Sequence, residues 1–481
     1  MIDYRTKLTT HRQLYPFDDL EYSIESDRGR ILSSPAFRRL QKRTQVFALE
    51  LNASIRTRLT HSLEVSQTAR FIAKTILSKL SGRGLDTYGL EGMDNAFVST
   101  AEMTSLLHDI GNPPFGHFAE ETINKWMRRH AVPLLDAFPI ASEESEKLRE
   151  ILKTDIVNYD GNAQAIRLIV KLQRLNLSYT QTLSVLKYTR GAYEPKPSSG
   201  DPLGYLRKKP GFYYSEEGFI RSVQEALGVE PSHRFPLTYI MEAADDISYL
   251  TADLEDSVEK GILTLDQVYD LIRTACEEGG EHYLLDLIQD KYEKAKRNDA
   301  PYRFNLFFTL TRAQLVRELV GHVSDIYVTH HEAIFEGRFN SALLEFDRES
   351  PYYQAVRILK KLSAKHIYQH REVQTREMQG YAILNTLLDI YKPLLELSGE
   401  AFAKLMKDEP ITCFISMRLI RRISSKQIVA YQTDVAALDP QAPERYALME
   451  LYYRIRLVTD YISGMTDDFA LNEYQTLIAL K

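Results

Sequence analysis

Arg56–Leu80, RTRLTHSLEVSQTARFIAKTILSKL, decides the fold class. Leu59, Leu63, Ile72, Ile76, Leu77 and Leu80 fall largely at three- and four-residue steps, the spacing that lines one side of a helix. The same period continues outward. Glu102–Ile110 reads as the last turns of another helix, stopped by Gly111-Asn112-Pro113-Pro114. Ser215–Leu227 opens on a Ser and ends at Gly228, and a helix is expected from about Tyr239 to Lys260. Thr264 with Gln267 forms a capping box for a helix carrying Val268, Leu271, Ile272 and Ala275, ended by Gly279-Gly280. Long alternating stretches are few, and Gly (22) and Pro (18) are sparse for 481 residues, so an all-α protein is expected. Ser81–Asn95 and Glu194–Gly204 read as surface loops that separate no regions of different composition. The chain is therefore read as one large helical unit over 1–481.

Hydrophobic residues at 44% and charged residues at 26% exclude a disordered or fibrous chain. The net charge of −6 argues against bulk attraction to nucleic acid. Charge is uneven, however: Arg28–Thr60 holds eight basic residues and one acid, Glu50, enough either to concentrate a polyanion or to supply partners elsewhere. Two distant cysteines, Cys276 and Cys413, suit a reducing compartment. The first 19 residues lack a signal-peptide core and no stretch is apolar enough for a membrane span, so a cytoplasmic protein is expected.

Five residue types gather the chemistry. His108-Asp109 stands at a helix end, where side chains are anchored by the core while their tips reach a cleft. An adjacent His-Asp pair alone is common by chance, and His61, inside a half-buried helix, alone reads as a core histidine. On the helix near Tyr239–Lys260, Asp245, Tyr249 and Asp253 recur every four residues and share one face, with no Lys or Arg at the same steps. That stripe suits a metal or a polar ligand. His117 and Glu120 are three apart in a segment that restarts as helix, so the carboxylate can orient the imidazole for proton transfer. Arg58 lies one turn before His61 and can reach the same cleft.

The motifs Arg58-Leu-Thr-His61-Ser, His108-Asp-Ile-Gly-Asn-Pro-Pro-Phe-Gly-His117 and Glu242-Ala-Ala-Asp-Asp-Ile-Ser-Tyr249 resemble the HD-domain deoxynucleoside triphosphate triphosphohydrolases, most closely the bacterial dGTP-hydrolysing type. The likeness runs from Glu25-Ser-Asp-Arg-Gly-Arg-Ile through Arg39-Leu-Gln-Lys-Arg-Thr-Gln-Val-Phe and Met378-Gln-Gly-Tyr to Tyr461-Ile-Ser-Gly-Met-Thr-Asp, nearly the whole chain.

The resemblance implies an HD-type helical core over about 56–260 with additional helices. A C-terminal helical region over about 261–481 then contributes to the nucleoside pocket and to oligomer contacts. It implies that His61, His108, Asp109 and Asp245 bind one divalent ion. Mixed nitrogen and oxygen ligands allow Mn²⁺ or Fe²⁺ and suit Mg²⁺ less. His117 becomes the acid–base residue with Glu120 as its orienter. Arg58, Asn162, Lys187, Tyr188 and Lys209 match positions that contact phosphates or sugar. Tyr249 packs on the sugar and excludes a 2′-hydroxyl, while Asp253 accepts the 3′-hydroxyl. Glu377 reads guanine, whose N1–H and N2–H donors suit a carboxylate. Tyr368 stacks on the base, where the family carries Phe, and Gln45-Val46 meet the base edge.

The reaction implied is hydrolysis of dGTP at the α-phosphate to deoxyguanosine and inorganic triphosphate by a homohexamer. Broad dNTP hydrolysis, or a nucleic-acid-binding regulatory role with single-stranded DNA as partner, are the other readings.

Overall fold

A computed structural model of the chain describes residues 2–479, with the side chains of His117, Ala300 and Pro301 left aside. The protein is all-α. Its central helix α1 (Arg58–Leu80) starts where Thr57 and Thr60 close a reciprocal capping box. The apolar side chains read from the sequence then bury Ile72, Ile76, Leu77 and Leu80. Around it pack α2 (Asp94–Leu107), α3 (Pro236–Glu259) and α4 (Ala300–Thr329). α3 starts three residues before the expected Tyr239, because Pro236 occupies the first turn, where a missing N–H costs nothing. The Thr264–Gln267 capping box and the left-handed Gly280 stop are present as expected. The one sheet among the described residues pairs Arg190–Gly191 with Pro210–Phe212 in parallel, on either side of the expected loop at 194–204.

Two hydrophobic clusters organise the interior. One joins the N-terminal segment to α1, α2, α3 and α4 and includes Leu107 and Ile110. The other joins the helix starting at His117 (His117–His130) to helices of the C-terminal third and includes Phe115, Leu384 and Ile455. The chain passes from the first cluster to the second between Ile110 and Phe115, directly after His108-Asp109. Close backbone approach fixes this crossing: a Cβ on Gly111 would lie 2.0 Å from the carbonyl oxygen of Gly161 and 2.3 Å from the amide nitrogen of Ala165. Only glycine fits there. No described helix is long and apolar enough to cross a membrane.

Candidate active site

α1 presents His61 and α3 presents Asp245 across their packed faces, and His108 caps the end of α2. The ligand atoms of His61, His108 and Asp109 lie within 4.8 Å of one another. Asp245 adjoins this trio, its Oδ1 3.1 Å from His61 Nε2 and 3.5 Å from His108 Nε2. His108 Nδ1 lies 2.6 Å from the Ser105 carbonyl oxygen, which can only accept, so Nδ1 carries the proton and Nε2 keeps its lone pair. That buried Nε2 has no hydrogen-bond partner, nor has His61 Nδ1. A buried lone pair beside two carboxylates, with the opposite ring nitrogen anchored to the backbone, is how a protein prepares a histidine for a cation. The residues fit a divalent metal.

Electrostatics agree. Burial opposes ionising Asp109, but the Arg58 guanidinium outweighs it and holds the carboxyl well below its usual range. Burial likewise opposes ionising Asp245, and the hydrogen bond to His61 and the Lys187 ammonium act against it to keep the carboxyl below its usual range. Arg58, read as a phosphate donor, meets Asp109 Oδ2 at 2.5 Å, so the same guanidinium also balances this acid.

A cavity of about 530 Å³ opens beside these groups. Of the residues singled out in the sequence, Gln45, Val46, Arg58, Asp109, Asp245, Tyr249, Asp253, Tyr368 and Glu377 line it. Tyr368 ends a π-helical turn that follows α5 (Pro351–Ser363), and Glu377 lies on α6 (Arg371–Tyr391). The Tyr368 phenol donates to the buried Asp253 carboxylate. A larger cavity of about 980 Å³, between C-terminal helices, contains no histidine.

The other expected residues lie off this cavity. Lys187 Nζ is 3.7 Å from Asp245 and 4.0 Å from Glu242, beside the metal-type cluster, and Tyr188 is buried next to it. Asn162 and Lys209 meet at Asp160, with Asn162 Nδ2 donating at 2.6 Å and the Lys209 ammonium forming an ion pair at 3.7 Å. Glu120 accepts from the Gly161 amide at 2.8 Å. The side chain of His117 lies outside the described residues.

Sequence reading missed six cavity residues, Ala48, Phe115, Gly116, Lys360, Val373 and Arg376. Lys360 pairs with Glu345 and Asp246 and sits 5.6 Å over the Tyr249 ring, but nothing in its Leu-Lys-Lys context marks it. Acids neutralise only part of the basic run. Arg28 pairs with Glu102, Lys42 with Asp468, Arg56 with Glu64, Glu255 and Asp256, and Arg58 with Asp109. Arg30, Arg38 and Arg43 donate to backbone carbonyls.

Comparison with known proteins agrees with this geometry. The HD domain model matches residues 58–163, and the phosphohydrolase-associated domain model matches 416–476. A probable deoxyguanosinetriphosphate triphosphohydrolase of Pseudomonas aeruginosa is 43% identical, covering 96% of this chain and 94% of the relative. The deoxyguanosinetriphosphate triphosphohydrolases of Enterobacter sp. (strain 638) and Klebsiella pneumoniae are 42% and 43% identical, each covering 100% of this chain and 99% of the relative.

Proposed function

This chain belongs to the deoxyguanosinetriphosphate triphosphohydrolase family of HD-domain hydrolases, and from that premise we propose that it cleaves dGTP at the α-phosphate. Water adds to the α-phosphorus, the bond to the 5′ oxygen breaks, and that oxygen leaves with a proton. The products are deoxyguanosine and inorganic triphosphate.

The observation that carries this reading is the unpartnered His108 Nε2 facing Asp109 and Asp245 at the edge of a cavity of nucleotide size. His61, His108, Asp109 and Asp245 would hold the ion, and their mixed donors allow Mn²⁺ or Fe²⁺ and suit Mg²⁺ less. When bound, it supplies Lewis acidity to a phosphoryl oxygen and acidifies water.

The protein's own groups do the rest. Arg58 and Lys187 stand within reach of the same acids and neutralise phosphate charge. Lys209 and Asn162, gathered at Asp160, suit the outer phosphates. His117 moves the proton to the leaving oxygen and Glu120 orients it. Tyr249 presents its ring where a 2′-hydroxyl would clash, Asp253 accepts the 3′-hydroxyl, Tyr368 stacks and Glu377 takes the guanine N–H donors beside Gln45 and Val46. Assembly as a homohexamer in the cytoplasm belongs to the same reading, and exposed Phe118, Met378 and Tyr381 offer apolar surface for contact between copies. Sedimentation tests the assembly.

Product analysis with each dNTP and Mn²⁺ tests the reaction. Triphosphate from dGTP is expected, and release of orthophosphate or pyrophosphate instead overturns the mechanism. Glu377→Ala is expected to lose dGTP turnover selectively, whereas an equal loss with all four dNTPs removes Glu377 as the guanine reader.

A further inference from the structure

Arg43 and Thr44 touch both ends of the cavity region without lining it. The Arg43 side chain is buried, and every acceptor it meets is a backbone carbonyl. Nη1 donates to Ile110 O at 3.2 Å and to Asn112 O. Nη2 donates to Ser463 O and Met465 O, both at 2.9 Å, and Nε donates to Met465 O at 3.1 Å. One guanidinium thus ties two carbonyls of the loop after His108-Asp109, those of Ile110 and Asn112, to the end of α7 (Pro443–Ser463), within the phosphohydrolase-associated segment. The carbonyl of Arg43 itself accepts from the Arg58 amide at 2.9 Å, at the first residue of the helix that carries His61.

Thr44 continues the pattern towards the base end. Its amide (3.1 Å) and hydroxyl (2.8 Å) both donate to Asp467 Oδ2, and Asp467 Oδ1 accepts from the Phe115 amide at 3.0 Å. Phe115 holds a left-handed backbone (φ 65°), which a non-glycine residue keeps only where its surroundings impose it. Phe115 lines the cavity, as do Gln45 and Val46, the residues that follow Thr44. Asp467 is buried, and its two carboxylate oxygens accept from both stretches of loop.

A guanidinium in this position could be a plain brace between two cores, but a brace has no need to choose its acceptors. Here they belong to the HD loop on one side and the associated segment on the other, while the next residue fixes the rim of the cavity. We propose that Arg43 and Asp467 are positioning residues with divided tasks. Arg43 sets the His108-Asp109 loop against the helix bearing His61, and Asp467 sets Phe115 and the Gln45-Val46 edge. The phosphohydrolase-associated segment thereby keeps the metal end and the base end in register. This inference rests on His108 and Asp109 being metal ligands.

The test compares Arg43→Lys, Arg43→Gln and Asp467→Asn with the unmodified full-length protein. Mn²⁺ affinity is read without turnover, from the electron paramagnetic resonance of free ion, beside KM, kcat and melting temperature. Arg43→Lys keeps the charge but loses the planar fork, so Mn²⁺ binding is expected to weaken about tenfold or more, as for other residues that orient metal ligands. Asp467→Asn is expected to raise KM for dGTP several-fold, on the order of one lost hydrogen bond, with Mn²⁺ affinity unchanged. Arg43→Gln keeps the metal arm readable if the lysine variant does not fold. Unchanged Mn²⁺ affinity in the Arg43 variants beside a lowered melting temperature, or an unmoved KM in Asp467→Asn, overturns the division of tasks. If His108→Ala binds Mn²⁺ as the unmodified protein does, the ligand assignment itself fails, and this inference falls with it.

Discussion

The Tyr368 phenol donates its proton to Asp253, so one oxygen of that buried carboxylate is already engaged and the other is left for a sugar hydroxyl. Burial pushes the Asp253 carboxyl above its usual range, and the phenol opposes that push. In the proposed binding mode Tyr368 would do more than stack: its hydrogen bond would also hold the acid in its accepting form and orientation. Tyr368→Phe is expected to raise KM for dGTP several-fold, about 1 kcal/mol for one hydrogen bond. The 2′,3′-dideoxy substrate, which offers Asp253 nothing, should change little. Steady-state kinetics on both substrates checks this, and an equal rise for both would assign the effect to the ring.

Glu242 underpins the phosphate side. It accepts from Tyr205 at 2.9 Å and from Arg234 at 2.6 Å, and faces Lys187 at 4.0 Å. Arg234 is wholly buried. Glu242→Gln leaves that guanidinium without its counter-charge, which is expected to cost about 3 kcal/mol of stability. Urea unfolding measures the loss, and turnover should fall as Lys187 loses its second acid.

Gly111 is where the HD loop leaves the first core. Because the obstructing atoms belong to the backbone at Gly161 and Ala165, Gly111→Ala must displace the loop or the helix it meets. The expected cost is about 3 kcal/mol, at the upper end of ordinary overpacking. It should appear in denaturant unfolding together with weakened Mn²⁺ binding.

His331 gives the fold a pH dependence remote from the metal-type cluster. It is buried against Tyr4, Tyr88 and Tyr327, with its Nε2 3.0 Å from the Tyr4 hydroxyl, and burial pushes its pKa down to about 4 from 6.5. The folded state disfavours the protonated ring, so this contribution is complete above pH 6.5, declines as pH falls towards 4, and is lost below. The shift corresponds to about 3 kcal/mol. Melting temperature measured between pH 7 and 4 should fall less steeply in His331→Phe.

Chelation separates the chemistry from the fold. Large apolar clusters hold the helices together, unlike small domains that fold only around a metal. Chelator treatment is expected to abolish triphosphate release and leave the helical circular dichroism intact, with added Mn²⁺ restoring turnover.

What could be read from the sequence was what local chain chemistry determines. Helical spacing, the stop after Ile110 and the four-residue rhythm of Asp245, Tyr249 and Asp253 placed these groups on their elements, and family likeness joined them. Partners far apart in sequence left no such mark. Tyr368 and Asp253 are 115 residues apart and Arg43 and Met465 are 422 apart. The basic run looked like a surface field because Asp468, Glu255 and Asp256, which neutralise part of it, lie hundreds of residues away. Lys360 and Arg376 enter the cavity from helices whose patterns resemble any amphipathic surface helix.

The clamp at Arg43 also bears on when the protein becomes an enzyme. A nascent chain has made His61, His108, Asp109 and Asp245 well before Ser463, Met465 and Asp467 leave the ribosome. With Ser463, Met465 and Asp467 still to be synthesised, an unfinished chain carries its ligands on a loop that lacks the ties through Arg43 and Asp467. Contacts of such long sequence separation form late in folding. If Arg43 has the positioning task proposed for it, full competence to hydrolyse dGTP would come only once the last helices have docked.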